Sequence, residues 1–136
     1  MTVTGVLETS LYVEDVERAE NFYRSLFGFE CLVADDRLRA LSVAGRQVLL
    51  LFRKGASAEP AATPIGVIPP HDGSGSLHLA FSVPAEELPG WRNRLAMLGI
   101  AIESTVRWPR GGESVYFRDP DQNLVELVTP GCWAIY

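Results

Sequence analysis

The chain has 136 residues, of which 47% are hydrophobic and 21% charged, a balance that supports a buried core and excludes a disordered chain. Its 12 basic and 17 acidic residues leave a net charge of −5, with a single lysine, Lys54, and scattered arginines. No basic stripe exists to neutralise phosphates, so no nucleic-acid partner is expected. No apolar run reaches the roughly 18 residues of a membrane span, and Glu8 falls where a secretory leader would be apolar. Cys31 and Cys132 form neither a C-x-x-C pair nor a disulfide framework. The expectation is one domain over 1–136, cytoplasmic, with free thiols and no membrane association.

From Val6 to Val13 the chain reads as a strand, and Asp15 offers an N-cap to a helix carrying Val16, Ala19, Phe22, Tyr23, Leu26 and Phe27 at helical spacing. Gly28 ends that helix. Short β runs follow at Phe29 to Val33, Leu38 to Val43 and Gln47 to Phe52, the last two joined by a hairpin at Ala44-Gly45-Arg46. Leu77 to Val83 is again a strand. Leu88, Trp91, Leu95 and Leu98 mark a second helix that stops at Gly99, with Pro89 in its first turn. Ile100 to Val106, Glu113 to Arg118 and Leu124 to Thr129 supply three more strands, the last pair turning through Asp119-Pro120-Asp121-Gln122-Asn123.

The chain is therefore one β-α-β-β-β module written twice, over about 5–53 and 76–130. Superposing the halves sets Glu8 on His78, Gly28 on Gly99 and Leu50 on Glu126. The expected fold class is α+β, two βαβββ modules forming curved mixed sheets around a cleft lined by the first and last strand of each module. The linker, 54–75, contains Pro60, Pro64, Pro69 and Pro70. It is longer than most structureless loops, and a lid, a crossover between subunits and a solvated linker remain alternatives.

The stretches Glu8 to Asp15, Ala19 to Tyr23, Leu26 to Phe29 and Leu77 to Val83, and above all Phe117-x-Asp119-Pro-Asp121 followed by Glu126, resemble the vicinal oxygen chelate superfamily of glyoxalases, bleomycin-resistance proteins and extradiol dioxygenases. The resemblance runs over almost the whole chain. It implies a divalent metal between paired modules and chemistry on vicinal oxygens of a bound molecule; other members of the group bind drugs without metal. The family's ligand positions fall on Glu8, Leu50, His78 and Glu126, of which Glu8, His78 and Glu126 can coordinate. Glyoxalase-like members carry a ligand at the Leu50 position, and dioxygenase-like and fosfomycin-resistance-like members carry histidine at the Glu8 position, so this chain follows neither pattern fully. Two carboxylates and one imidazole suit Mn, Mg or Fe, with Zn and Ni also feasible.

Each candidate also has a plainer reading. His78 alone suits a satisfied core histidine, Glu8 a solvated strand edge, and Glu126 a solvent-facing carboxylate; buried, Glu126 needs a partner, a proton or a metal. If Arg118 pairs with Leu124, Tyr116 and Ser114 share a sheet face with Glu126. Tyr116 is then a candidate hydrogen-bond donor or acid in catalysis, beside Glu126. Arg110 reads as an exposed loop arginine or an anion clamp. His71 reads as a solvated linker histidine rather than a base, and the apolar segment Cys132 to Tyr136 as a docking element for the core or a partner. No phosphate loop, G-x-S-x-G elbow or H-E-x-x-H motif is present. Two functions follow: a metal-dependent lyase, isomerase or dioxygenase acting on a small molecule, with a homodimer as the expected assembly, or a metal-free drug- or antibiotic-sequestering protein.

Overall fold

Asp15 starts the first helix as its sequence position requires. Its Oδ1 accepts from the backbone N–H groups of Glu17 and Arg18 at 2.9 and 3.0 Å, ahead of α1 (Val16–Phe27). Gly28 closes the helix in the left-handed region at φ 74°, its N–H returning to the Arg24 carbonyl at 2.9 Å. The computed structural model describes residues 1–136 and divides into two units, Met1–Gly75 and Ser76–Tyr136.

In the first unit, β1 (Glu8–Val13), β2 (Glu30–Ala34), β3 (Leu38–Val43) and β4 (Gln47–Arg53) form a mixed sheet of order β1-β4-β3-β2. β1 runs parallel to β4 and the other pairs are antiparallel. Strand alternation turns Leu11, Val13, Leu41, Leu49 and Leu51 to one face, where they are buried with Ala19, Tyr23 and Leu26 of α1. Glu8, Ser10, Tyr12, Leu50 and Phe52 belong to the opposite face by the same alternation.

The linker is structured yet faces solvent over most of its length, residues 58–60 and 62–70 being exposed, in keeping with the solvated-linker alternative. β5 (Ala61–Thr63) and β6 (Gly66–Ile68) make a short hairpin closed by the Thr63 hydroxyl donating to the Gly66 carbonyl at 2.7 Å. Residues 69–73 then strap onto the sheet. The His71 N–H donates to the Ser57 carbonyl at 2.8 Å, and its Nδ1 lies 2.8 Å from the Tyr12 hydroxyl. The His71 ring meets Phe52 edge-on at 4.6 Å, and Gly73 lies so close to the Tyr12 ring that a Cβ there would overlap it. His71 is thus half-buried and bonded, not the solvated histidine expected of a free linker.

The second unit repeats the first. β7 (His78–Ser82), β8 (Ser104–Arg107), β9 (Glu113–Arg118) and β10 (Leu124–Val128) form a sheet of order β7-β10-β9-β8 with the same parallel and antiparallel pattern. A 3₁₀ turn at Ala85–Glu87 leads into α2 (Leu88–Met97), with Pro89 in the first turn, where its missing N–H costs nothing. Leu88 and Leu95 are buried, together with Val115, Phe117, Val125 and Leu127 of the sheet.

Two details depart from the sequence reading. Leu98 caps the helix outside its helical geometry, leaves the buried stripe and is 44% exposed. The strand expected from Ile100 begins only at Ser104, because the Ile100 N–H is still engaged with the Leu95 carbonyl at 2.9 Å across the Gly99 turn (φ 69°). Gly28 and Gly99 therefore do the same work in the two halves. Neither helix is long and apolar enough to cross a membrane, and Cys31 and Cys132 are free thiols.

Candidate metal centre

The Asp119–Asn123 turn builds this site from its backbone outward. Oδ1 of Asp119 accepts from the N–H groups of Asp121 and Asn123 at 2.9 and 2.8 Å, and its Oδ2 accepts from the Asn123 amide at 2.9 Å. The Asn123 Oδ1 in turn accepts from the Leu77 N–H at 3.0 Å, and the Leu124 N–H donates to the Leu77 carbonyl at 2.7 Å. These bonds set His78 beside Leu124 at the start of the parallel pair β7 and β10.

Across β9 and β10, Arg118 pairs with Leu124, and Tyr116 stands directly opposite Glu126. The expected shared face exists. Oε1 of Glu126 accepts from the Tyr116 hydroxyl at 3.0 Å and from the Ser114 hydroxyl, while Oε2 lies 3.2 Å from Nε2 of His78. The Glu126 side chain is 8% exposed and that of His78 is 50% exposed. A carboxylate buried to this degree without partners costs several kcal/mol; here the two hydroxyl donors offset part of that cost.

The His78 ring decides what the pair can hold. Its Nδ1 lies 3.1 Å from the Leu124 carbonyl oxygen, which only accepts, so the proton belongs on Nδ1. In the neutral ring Nε2 then presents a lone pair to a carboxylate oxygen, an arrangement resolved by a second proton on the ring or by a cation shared between the two atoms. One imidazole nitrogen and one carboxylate oxygen side by side, the ring oriented through its other nitrogen, are the chemistry of a borderline divalent metal. These two donors fit such an ion as part of its ligand set.

Burial raises the Tyr116 phenol above its ordinary value, and the bond and charge of Glu126 raise it further against an opposing effect of Ser114, so it stays a neutral donor. Burial, with the charge of Glu126, also holds Cys132 as a thiol rather than a thiolate.

Glu8 heads β1 in the first unit and is exposed, paired in register with Val48, as His78 is paired with Leu124. Two residues on, Leu50 pairs with Ser10 as Glu126 pairs with Ala80. The register thus reproduces the sequence superposition of Glu8 on His78 and Leu50 on Glu126. Within neither unit do three or more His, Cys, Asp or Glu side chains gather into a metal-holding set.

Arg110 is exposed in the turn between β8 and β9. The C-terminal segment docks through the Cys132 backbone, close against Gly112, and through the Tyr136 hydroxyl, 3.3 Å from the carbonyls of Val83 and Val128, while Trp133 and Ile135 stay exposed. Sequence reasoning missed Trp108, whose indole N–H donates to Ser114 at 2.7 Å. The signal was its parity: Val106 pairs with Ser114, and Trp108 lies two residues on along the same hairpin.

Residues 5–127 match the model of the Glyoxalase/Bleomycin resistance protein/Dioxygenase superfamily. A catechol-2,3-dioxygenase of Bacillus subtilis is 32% identical over 128 residues, covering 91% of this chain but 41% of its own length, so the chain spans less than half of that relative. A metallothiol transferase FosB of Bacillus licheniformis is 27% identical, covering 93% of this chain and 76% of its own. The crystal structure of a lactoylglutathione lyase from Agrobacterium tumefaciens superposes with a TM-score of 0.89 at 36% identity, covering 98% of this chain and 99% of that one. The fold, the repeated register and these matches together make the chain a member of the glyoxalase, bleomycin resistance protein and dioxygenase superfamily.

Proposed function

We propose that this protein is a metal-dependent enzyme of the glyoxalase and dioxygenase type, in which Glu8, His78 and Glu126 hold a divalent ion, with Mn, Fe, Ni, Zn and Mg as the candidates. Its substrate is a small, oxygen-rich metabolite presenting neighbouring oxygens, and the reaction is a lyase, isomerase or dioxygenase step. The observation that carries this reading is the pair of His78 Nε2 and Glu126 Oε2 at 3.2 Å, with the imidazole held through its other nitrogen beside the Leu124 carbonyl. The equivalence of Glu8 and His78 in strand register supports Glu8 as the third ligand.

A divalent ion, when bound, supplies the Lewis acidity that polarises neighbouring substrate oxygens. The chain's own residues do the rest. Glu126 is held in one orientation by Ser114 and Tyr116. Tyr116, kept neutral by burial, gives its one proton to that carboxylate at 3.0 Å and would serve a developing oxyanion by turning the same hydrogen bond from Glu126 to it. A metal-free sequestering role is not favoured, since the relatives include a metallothiol transferase and a dioxygenase. The free thiols support a cytoplasmic location.

Calorimetric titration of tag-free protein with Mn²⁺, Ni²⁺ and Zn²⁺ tests the reading against Glu126→Gln and His78→Ala. Removing either ligand is expected to weaken binding by at least about 100-fold, above the effect of an outer-shell change. Wild type that binds no ion more tightly than Glu126→Gln overturns the reading.

A further inference from the structure

Glu126 is held asymmetrically: both hydroxyl donors reach Oε1, while Oε2 faces the His78 ring. The Trp108 indole N–H can only donate, and it reaches the Ser114 oxygen at 2.7 Å. Ser114 therefore accepts from Trp108 and gives its single proton to Oε1 of Glu126. The Tyr116 hydroxyl adds a second donor to the same oxygen at 3.0 Å. A carboxylate oxygen has about two lone-pair sites, so Oε1 is filled and the free electron pairs lie on Oε2, beside Nε2 of His78.

The chain of donors is built into the hairpin. Val106 pairs with Ser114, which puts Trp108 on the same face two residues later, and the turn is closed by the Trp108 N–H to the Gly112 carbonyl at 2.8 Å and the Gly111 N–H to the Trp108 carbonyl at 2.9 Å. Ser114 is fully buried and Glu126 is 6% exposed, so water does not compete for these bonds.

We infer that Trp108 and Ser114 are positioning residues of the metal centre: their two-step relay, together with the Tyr116 hydroxyl, fills Oε1 of Glu126 and leaves the free electron pairs of Oε2, beside His78, available to a divalent ion. The inference rests on the metal-holding role proposed above. It assigns to the β8–β9 turn a task that its sequence, Trp108-Pro-Arg-Gly-Gly112, does not announce.

The test is Mn²⁺ affinity by calorimetry for wild type, Trp108→Phe, Ser114→Ala, the double variant and Ser114→Thr, each checked for a cooperative unfolding transition in chelator. Ser114→Ala is expected to weaken Mn²⁺ binding about 10- to 100-fold, the range for outer-shell partners. Trp108→Phe is expected to weaken it about 2- to 10-fold, the equivalent of one hydrogen bond. Because Trp108 acts through Ser114, the double variant should bind no more weakly than Ser114→Ala alone. Ser114→Thr keeps the hydroxyl and should bind within about threefold of wild type, well inside the value of one hydrogen bond.

Wild-type affinity in folded Ser114→Ala, or losses that multiply in the double variant, overturn the relay. Should Ser114→Ala not fold, unchanged affinity in Trp108→Phe overturns it equally. Failure of the metal reading is seen separately, as wild type binding Mn²⁺ no better than Glu126→Gln.

Discussion

Leu50 occupies in β4 the register position that Glu126 occupies in β10, two residues beyond the partner of the residue that heads the parallel neighbour, Glu8 in one sheet and His78 in the other. Leu50 is half-buried, on the face of the sheet that does not pack against α1. The position that carries a carboxylate in one module carries a side chain without donor atoms in the other.

Leu50→Glu should restore the missing carboxylate. Without metal the partly buried charge is expected to lower stability by about 1–3 kcal/mol. Excess Mn²⁺ or Ni²⁺ should recover much of that loss, because an ion bound only by the folded state stabilises it by mass action. Thermal unfolding of wild type and variant, each with chelator and with metal, measures the coupling as a double difference. A metal-induced shift no larger in the variant than in wild type would show that Leu50 does not face the ion.

The Asp119–Asn123 turn should control the orientation of His78. Asn123→Ala removes the acceptor for the Leu77 N–H and one of the partners of Asp119. The Asp119 bond is buried and the Leu77 bond part-buried, so a loss of about 1–3 kcal/mol is expected in denaturant unfolding. The same variant should bind Mn²⁺ more weakly than a surface control such as Arg110→Ala; equal affinities would separate the turn from the site.

The strap at residues 69–73 yields a steric prediction. Gly73→Ala puts a methyl group into the Tyr12 ring, which must move and give up its bond to His71. The expected cost is about 1–3 kcal/mol, typical of overpacking, whereas Tyr12→Phe, which loses only the hydroxyl bond, should cost about 0.5–1.5 kcal/mol. Protease nicking within 54–75 should rise in Gly73→Ala, and unchanged resistance would show that the strap is held by other contacts.

Much of the architecture was written in residue types whose physics is local. Asp15, Gly28, Gly99 and the Asp119–Asn123 run each act through their own neighbouring backbone, so helix ends and the last hairpin were readable, and strand parity then placed Ser114 and Tyr116 beside Glu126. What was not legible depended on contacts distant in sequence. The strap is fixed by Tyr12 and Phe52, nearly sixty and twenty residues away from His71, and no periodicity marks 54–75 as the place of a two-stranded hairpin. Trp108 looked like part of a flexible loop because its Pro-Arg-Gly-Gly neighbours are turn formers; its bond to Ser114 follows from the β8–β9 register, which a single sequence specifies weakly.

Acid should weaken the first unit through Glu20. Burial works to raise this carboxyl, but hydrogen bonds from Arg39 at 2.7 Å and Arg24 at 3.1 Å outweigh it and hold it below the ordinary carboxylate value. A depressed folded-state value means the stabilisation is present above the unfolded value and is lost as pH falls through the folded one. Glu20→Gln is therefore expected to be less stable than wild type at pH 6, the difference beginning to shrink near the unfolded carboxyl value of about 4.3 and closing only as pH falls below the depressed folded value. A constant difference across that range would deny the ion pair its role.

We also propose a homodimer, in keeping with the exposed apolar side chains Trp133 and Ile135 near the C-terminus. Light scattering across the micromolar range should give twice the chain mass, and Trp133→Ser with Ile135→Ser should shift the equilibrium toward monomer. A single-chain mass at every concentration would exclude assembly.

The central claim is that Glu126, His78 and Glu8 hold a divalent ion, and the most direct measurement is the stoichiometry and affinity of Mn²⁺ binding to wild type, Glu8→Gln, His78→Ala and Glu126→Gln. About one ion per chain is expected in wild type, with each substitution weakening binding by at least about 100-fold, beyond the roughly 10- to 100-fold of an outer-shell change. Binding that survives all three substitutions, or wild type that binds none, contradicts it.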